Sequence, residues 1–180
     1  MLFAPDTEVA LRSVVSLVNS AANGAEHLST VPDLDRFLEA EGFTGSRTRD
    51  EAELAGVHRL RGELAALWFA DESAAVDTVN RLLREARALP QLVRHGDWDW
   101  HLHATTPDAP LAHRMSTEAA MALVDVIRNK EMDRMLVCAA EDCNAVVLDL
   151  SRNRSKRYCD TGNCANRAHV AAYRARKAAS

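Results

Sequence analysis

From Met1 to Val137 the 180-residue chain has no cysteine, and nowhere does it hold the run of about 18 uninterrupted apolar residues that a membrane span needs. It also lacks a glycine-rich phosphate loop, a nucleophile elbow and a helical pair of zinc-binding histidines, so the common nucleotide, acyl-transfer and metalloprotease chemistries find no foothold. Internal repeats, low-complexity tracts and a flexible Gly/Ser linker are absent too. The opening Met1-Leu-Phe-Ala-Pro-Asp has neither the basic segment nor the apolar run of a signal peptide, which sets the expectation of a cytoplasmic protein that is not an enzyme.

What is present is concentrated at the end. All four cysteines fall in two pairs with equal gaps, Cys138-Ala-Ala-Glu-Asp-Cys143 and Cys159-Asp-Thr-Gly-Asn-Cys164. Two disulfides or four unconnected thiols are the alternatives, but disulfides belong to oxidising compartments. Paired cysteines around a hairpin-length spacer point instead to one structural Zn2+ held by Cys138, Cys143, Cys159 and Cys164. Four thiolates close the shell, so the ion supports a fold and His169 is not needed as a ligand. Ala145 to Leu150 is β-prone, Ser151 to Ser155 turn-like, and Lys156-Arg-Tyr158 returns to the second pair, which reads as a β-hairpin. Asp160 or Thr161 can cap the helix that follows, placing Cys164 in its first turn and completing a treble-clef-like finger.

The string Cys164-Ala-Asn-Arg-Ala-His-Val-Ala-Ala-Tyr-Arg-Ala-Arg176, with Asp149 to Cys159 before it, resembles the CGNR zinc finger family. In that family the finger follows an N-terminal helical ABATE domain, and Val14-Val-Ser-Leu-Val-Asn-Ser20 is similar to the motif that opens it. The resemblance implies a bacterial, stress-related transcriptional regulator. Ala165 stands where the family has Gly. In a plain helix Ala is favoured by up to ~1 kcal/mol, whereas a close approach of ligand or nucleic acid would be obstructed by its methyl.

The body reads as mainly α. A helix opens at Pro5-Asp6 with Asp6 or Thr7 as cap, and Leu11, Val14, Val15 and Val18 share a face. Asn19 on that helix reads as a satisfied packing residue rather than a ligand contact. Further helices are expected over 29–41, 49–70 and from Asp71 to the stop at Pro90, the last two as an antiparallel pair. Residues 91–104 change period and read as two strands, with Trp98, Trp100 and Leu102 facing the core and Asp97, Asp99, His101 and His103 outward. His101 and His103 could hold a metal, though a polar outer face is the commoner meaning of such a pattern. A last helix is expected to begin at Thr117 and run into Met135-Leu-Val. The expected architecture is a helical domain over 1–136, with a two-stranded insert near 91–104, and the finger over 137–180.

Charge separates the same two parts. Residues 1–137 carry 14 Lys/Arg against 22 Asp/Glu, and residues 138–180 carry 8 against 4. An acidic body with a basic end suggests DNA as partner, contacted by Arg152, Arg154, Lys156 and Arg157 on the hairpin and by Asn166, Arg167, Arg174 and Lys177 on the helix. Asn166 and Arg167 have a second reading, as groups that hydrogen-bond the thiolates or the hairpin. A finger that closes the core of a protein-interaction or oligomerisation module, with a second copy as partner, is the competing function. A small-molecule effector of the helical domain is left open, and an enzyme built on the His101/His103 face is the third reading.

Overall fold

A proline at the first helical position costs no hydrogen bond, and α1 (Pro5–Asn19) starts on one. Ala4 holds the cap position without a side-chain bond, so neither Asp6 nor Thr7 caps it. Thr7 lies inside the helix and its hydroxyl donates to Asp125 at 2.9 Å. The chain leaves α1 through Asn23 and Gly24, at φ 58° and 76°. The next helix, α2 (Val31–Ala40), carries a capping box in which Thr30 Oγ1 accepts from the Asp33 amide and the Asp33 carboxylate accepts from the Thr30 amide. Asp50 and Asp71 cap α3 (Glu51–Ala66) and α4 (Glu72–Glu85) with their carboxylates, each accepting an amide at 2.8 Å. The computed structural model that shows these caps describes residues 2–94 and 99–178.

The body turns on α5 (Leu111–Arg128), against which α1, α3 and α4 all pack. Its buried Ala119, Ala120 and Ala122 let neighbouring helices approach closely. It begins at Leu111, ahead of the expected Thr117, because Leu111, Arg114 and Met115 are already buried in its first turns. α3 is the expected antiparallel partner of α4, but α5 takes most of its contact. A three-residue 3-10 turn, Leu67–Phe69, separates the two helices, and α4 lays its Ala75, Val79 and Leu82 stripe chiefly on α5. The ion pair from Arg81 to Glu63, at 2.8 Å, still ties α4 to α3. Buried Arg114 donates to the carbonyls of Thr44, Ser46 and Ala109, which fixes the loop after α2 beside the start of α5.

Strands β1 (Gln91–Val93) and β2 (His101–His103) pair antiparallel, Leu92 opposite Leu102. The faces are the reverse of those expected. His101 is 9% exposed while Trp100 is 64% and Leu102 44% exposed. Alternation distinguishes two faces but does not say which one is covered. Asp97 and Trp98, also assigned to these faces, lie outside the described residues.

α5 does not run into the finger. It stops at Arg128, Lys130 takes φ 58°, a 3-10 turn spans Met132–Arg134, and β3 (Met135–Val137) follows. β3 pairs antiparallel with β4 (Val146–Leu148), Met135 opposite Leu148. The hairpin therefore encloses the first cysteine pair, and 156–158 is not a strand. The reason is Asp149, fully buried, whose carboxylate accepts from the amides of Ser151 at 2.8 Å and Lys156 at 2.9 Å and so coils the chain into a loop. The last element is α6 (Cys164–Ala178). Six helices and two small two-stranded sheets make the described chain mainly α.

The two parts share one core. Val146 and Leu148 of β4 belong to the same apolar cluster as α1, α3 and α5, and α1 packs on β4.

Candidate metal centre

Three local structures bring the sulfurs together. The turn after β3 is held by the amide of Cys138 donating to Ala145 O at 2.9 Å and that of Cys143 to Ala140 O at 3.1 Å. The loop from Asp149 delivers Cys159, tied across by the Ala139 amide to Arg157 O at 2.9 Å. Cys164 opens α6. All four cysteines are buried, and their Sγ atoms lie within 4.8 Å of one another. Sulfurs at 2.3 Å from one ion in a tetrahedron stand about 3.8 Å apart. Cys143 to Cys159 is 3.7 Å and Cys159 to Cys164 is 3.6 Å.

The sulfurs resist charging together without a cation. Burial disfavours the Cys159 thiolate, but the Thr161 hydroxyl and the amides of Thr161 and Gly162 outweigh it and hold the thiol at about 6. At Cys164 the Arg167 guanidinium favours the thiolate, but burial and the three neighbouring sulfurs push the thiol up to about 12. A divalent ion removes that repulsion. The donor set and the spacing fit one structural zinc, closed to substrate.

Around the sulfurs stand groups that donate to them. Thr161 Oγ1 donates to Cys159 at 3.3 Å, the Cys159 amide to Cys138 at 3.4 Å, and Asn23 Nδ2 to Cys143 at 3.5 Å. Arg167 donates to Cys164 Sγ at 3.2 Å while its other nitrogen pairs with Asp142. Asp142 and then Cys164 raise the Arg167 pKa, so this cation is fixed across the site. A Cβ at Gly162 would sit 3.0 Å from Cys164 Sγ, tight enough to press on the sulfur.

A model of the CGNR zinc finger matches residues 134–177, and a model described as "Putative stress-induced transcription regulator", the ABATE domain, matches residues 11–130, two thirds of the chain. The chain belongs to the ABATE family and carries its CGNR zinc finger. No curated protein matches it. In this CGNR finger Ala165 lies in the first turn of α6, one residue from a zinc ligand.

Four of the eight residues assigned to nucleic acid are engaged within the protein. Arg154 pairs with Glu131 at 2.6 Å and with Asp133, Lys156 with Asp160 at 2.6 Å, and Arg167 with Asp142 and sulfur. Asn166 donates to Asn163 Oδ1 at 2.7 Å. Arg152 and Arg157 are exposed on the loop, Arg174 and Lys177 on α6, without an acidic partner among the described residues. Asp160 and Thr161, suggested as helix caps, are engaged by Lys156 and Cys159 instead.

The residues that fasten the finger to the body have little signal in the sequence. Asn19 Nδ2 donates to Val146 O at 2.9 Å and its Oδ1 accepts the Val146 amide at 2.8 Å, which agrees with the packing role expected of it. Asn23 Oδ1 accepts the Asn144 amide at 2.9 Å, and Asn144 Oδ1 accepts the Asn23 amide at 2.7 Å. Trp68 Nε1 donates to Val147 O at 3.2 Å. Arg134, buried, donates to the carbonyls of Asp149 and Ser151 at 2.9 Å. Only the family motif around Asn19 gave any hint of this seam.

Proposed function

We propose that the chain is a zinc-stabilised transcriptional regulator that contacts DNA with the face formed by α6 and the loop before it. The observation that carries the reading is α6 itself: Cys164 is its only buried residue, and from Cys164 to Ser180 there are four Lys/Arg and no Asp or Glu. An exposed helix of one charge sign suits a polyanion. Exposed ion pairs cost little to exchange, but Arg167 is held by the metal centre as well as by Asp142. Contacts therefore fall first to Arg152, Arg157, Arg174 and Lys177. Four phosphates neutralised give a slope of log affinity against log salt of about −3.6.

Random-sequence duplex is the probe, with retention measured from low to moderate salt. The Arg174→Glu/Lys177→Glu variant is expected to lose retention while keeping its zinc content and circular dichroism. Retention independent of salt, or unchanged in that variant, overturns the reading.

A second reading rests on Val170 and Tyr173, 48% and 60% exposed on α6, which suit a protein partner. If Val170→Ser/Tyr173→Ser abolishes self-association and the charge reversals do not, the finger serves assembly.

A further inference from the structure

The DNA reading leaves the β1/β2 ribbon unused, and its two histidines are arranged as ligands. Residues two apart on a strand point to the same side, and His101 and His103 bring their Nε2 atoms to 3.0 Å, with ring centroids 4.9 Å apart and planes at 64°. His101 Nδ1 lies 2.7 Å from the carbonyl oxygen of Asp99. Only a protonated nitrogen can approach a carbonyl so closely, so the neutral ring keeps its proton on Nδ1 and its Nε2 accepts the hydrogen bond from His103 Nε2, whose proton a metal on the pair would displace. A backbone carbonyl that fixes the tautomer in this way is the usual companion of a metal-bound histidine.

We propose that His101 and His103 form a second metal site, for a borderline divalent cation such as Zn2+ or Ni2+, separate from the four-cysteine centre. Two imidazole nitrogens about 2.05 Å from one ion, at angles between 90° and 110°, stand about 2.9–3.4 Å apart, which includes the separation found. Imidazole pairs select such cations over Mg2+ and Ca2+, which prefer oxygen. Glu118 adds a favourable field: burial raises its pKa while Arg114 and His101 lower it, so a cation on the pair favours its ionised form. Among the described residues its carboxylate does not join the histidines in a donor group within 4.8 Å. The Leu102 amide, between the two histidines, donates to Asp6 of α1 at 3.4 Å, so an ion here braces the ribbon where it meets the helical body.

The test uses the full chain without a polyhistidine tag, its cysteine centre already loaded with zinc, titrated with NiCl2 in a calorimeter. One further equivalent is expected, with no response to MgCl2. His103→Ala is expected to abolish that equivalent while zinc content stays at one per chain and circular dichroism is unchanged. His101 is more deeply buried, and His101→Gln serves as the second variant. A titration showing no further equivalent overturns the proposal, and so does nickel binding that survives both substitutions.

Discussion

The helical body and the finger reach stability by different routes. In the body, Leu34, Val57, Leu64 and Val126 are sealed from solvent, and the fold rests on apolar area removed from water. The finger has one short hairpin and a helix exposed along nearly its whole length, so its shape depends on sulfur, a metal ion and hydrogen bonds to loops. Apolar packing tolerates small adjustments, whereas a four-ligand shell is complete or lost. The seam of Asn19, Asn23 and Trp68 makes the second region's failure the first region's problem.

Removing the metal should give the largest effect. Structural zinc sites of this kind contribute ~10–16 kcal/mol of binding free energy to folding. Cys164→Ser, or chelation of the natural chain, is expected to abolish zinc retention and also to lower the melting temperature of the helical body, followed by circular dichroism. A body that melts unchanged after chelation would show the two regions to be independent. Next comes Leu64→Ala, which leaves a core cavity and should cost about 2–5 kcal/mol in urea unfolding while zinc content stays at one per chain.

Asn19→Ala tests the seam. Stripping both bonds from the Val146 amide and carbonyl should cost roughly 2–3 kcal/mol and split one unfolding transition into two, seen by comparing zinc release with helical dichroism. A single transition of unchanged midpoint would mean that apolar contact alone unites the regions.

The smallest effect belongs to Glu26. Its bond from Arg61 comes first among the causes that take its carboxyl from the ordinary 4.5 to about 2. A carboxyl lowered in the folded state contributes stability above 4.5, and the contribution fades as pH falls through 2. Wild type should exceed Glu26→Gln in stability at neutral pH by less than about 1 kcal/mol, since the pair is partly solvated, and the gap should close between pH 4.5 and 2. A gap that widens in acid would reverse the assignment.

How much of this was legible in the sequence depends on the range of the interaction. Cysteine spacing is local, and so are the opening at Pro5 and the cap at Asp71, which is why the metal set and four helices could be read directly. The start of α5 was missed because Leu111-Ala-His-Arg follows Pro107 to Pro110, and the prolines argued for loop. The finger hairpin was assigned to the wrong partner because both 135–137 and 156–158 lie near 145–150, and the deciding group, Asp149, acts through its side chain. The ribbon's inverted faces and the α4/α5 packing depend on what covers a surface, information that periodicity does not hold.

Because α6 is anchored through its first turn, by buried Cys164 and by Arg167 on Asp142, it behaves as a cantilever. Fifteen residues at 1.5 Å each give an arm about 22 Å long, so a tilt of about ten degrees at the sulfur displaces the far end by about 4 Å. Motions too small to disturb the metal shell are thus enough to carry Arg174 and Lys177 into or out of register with a regularly spaced polyanion.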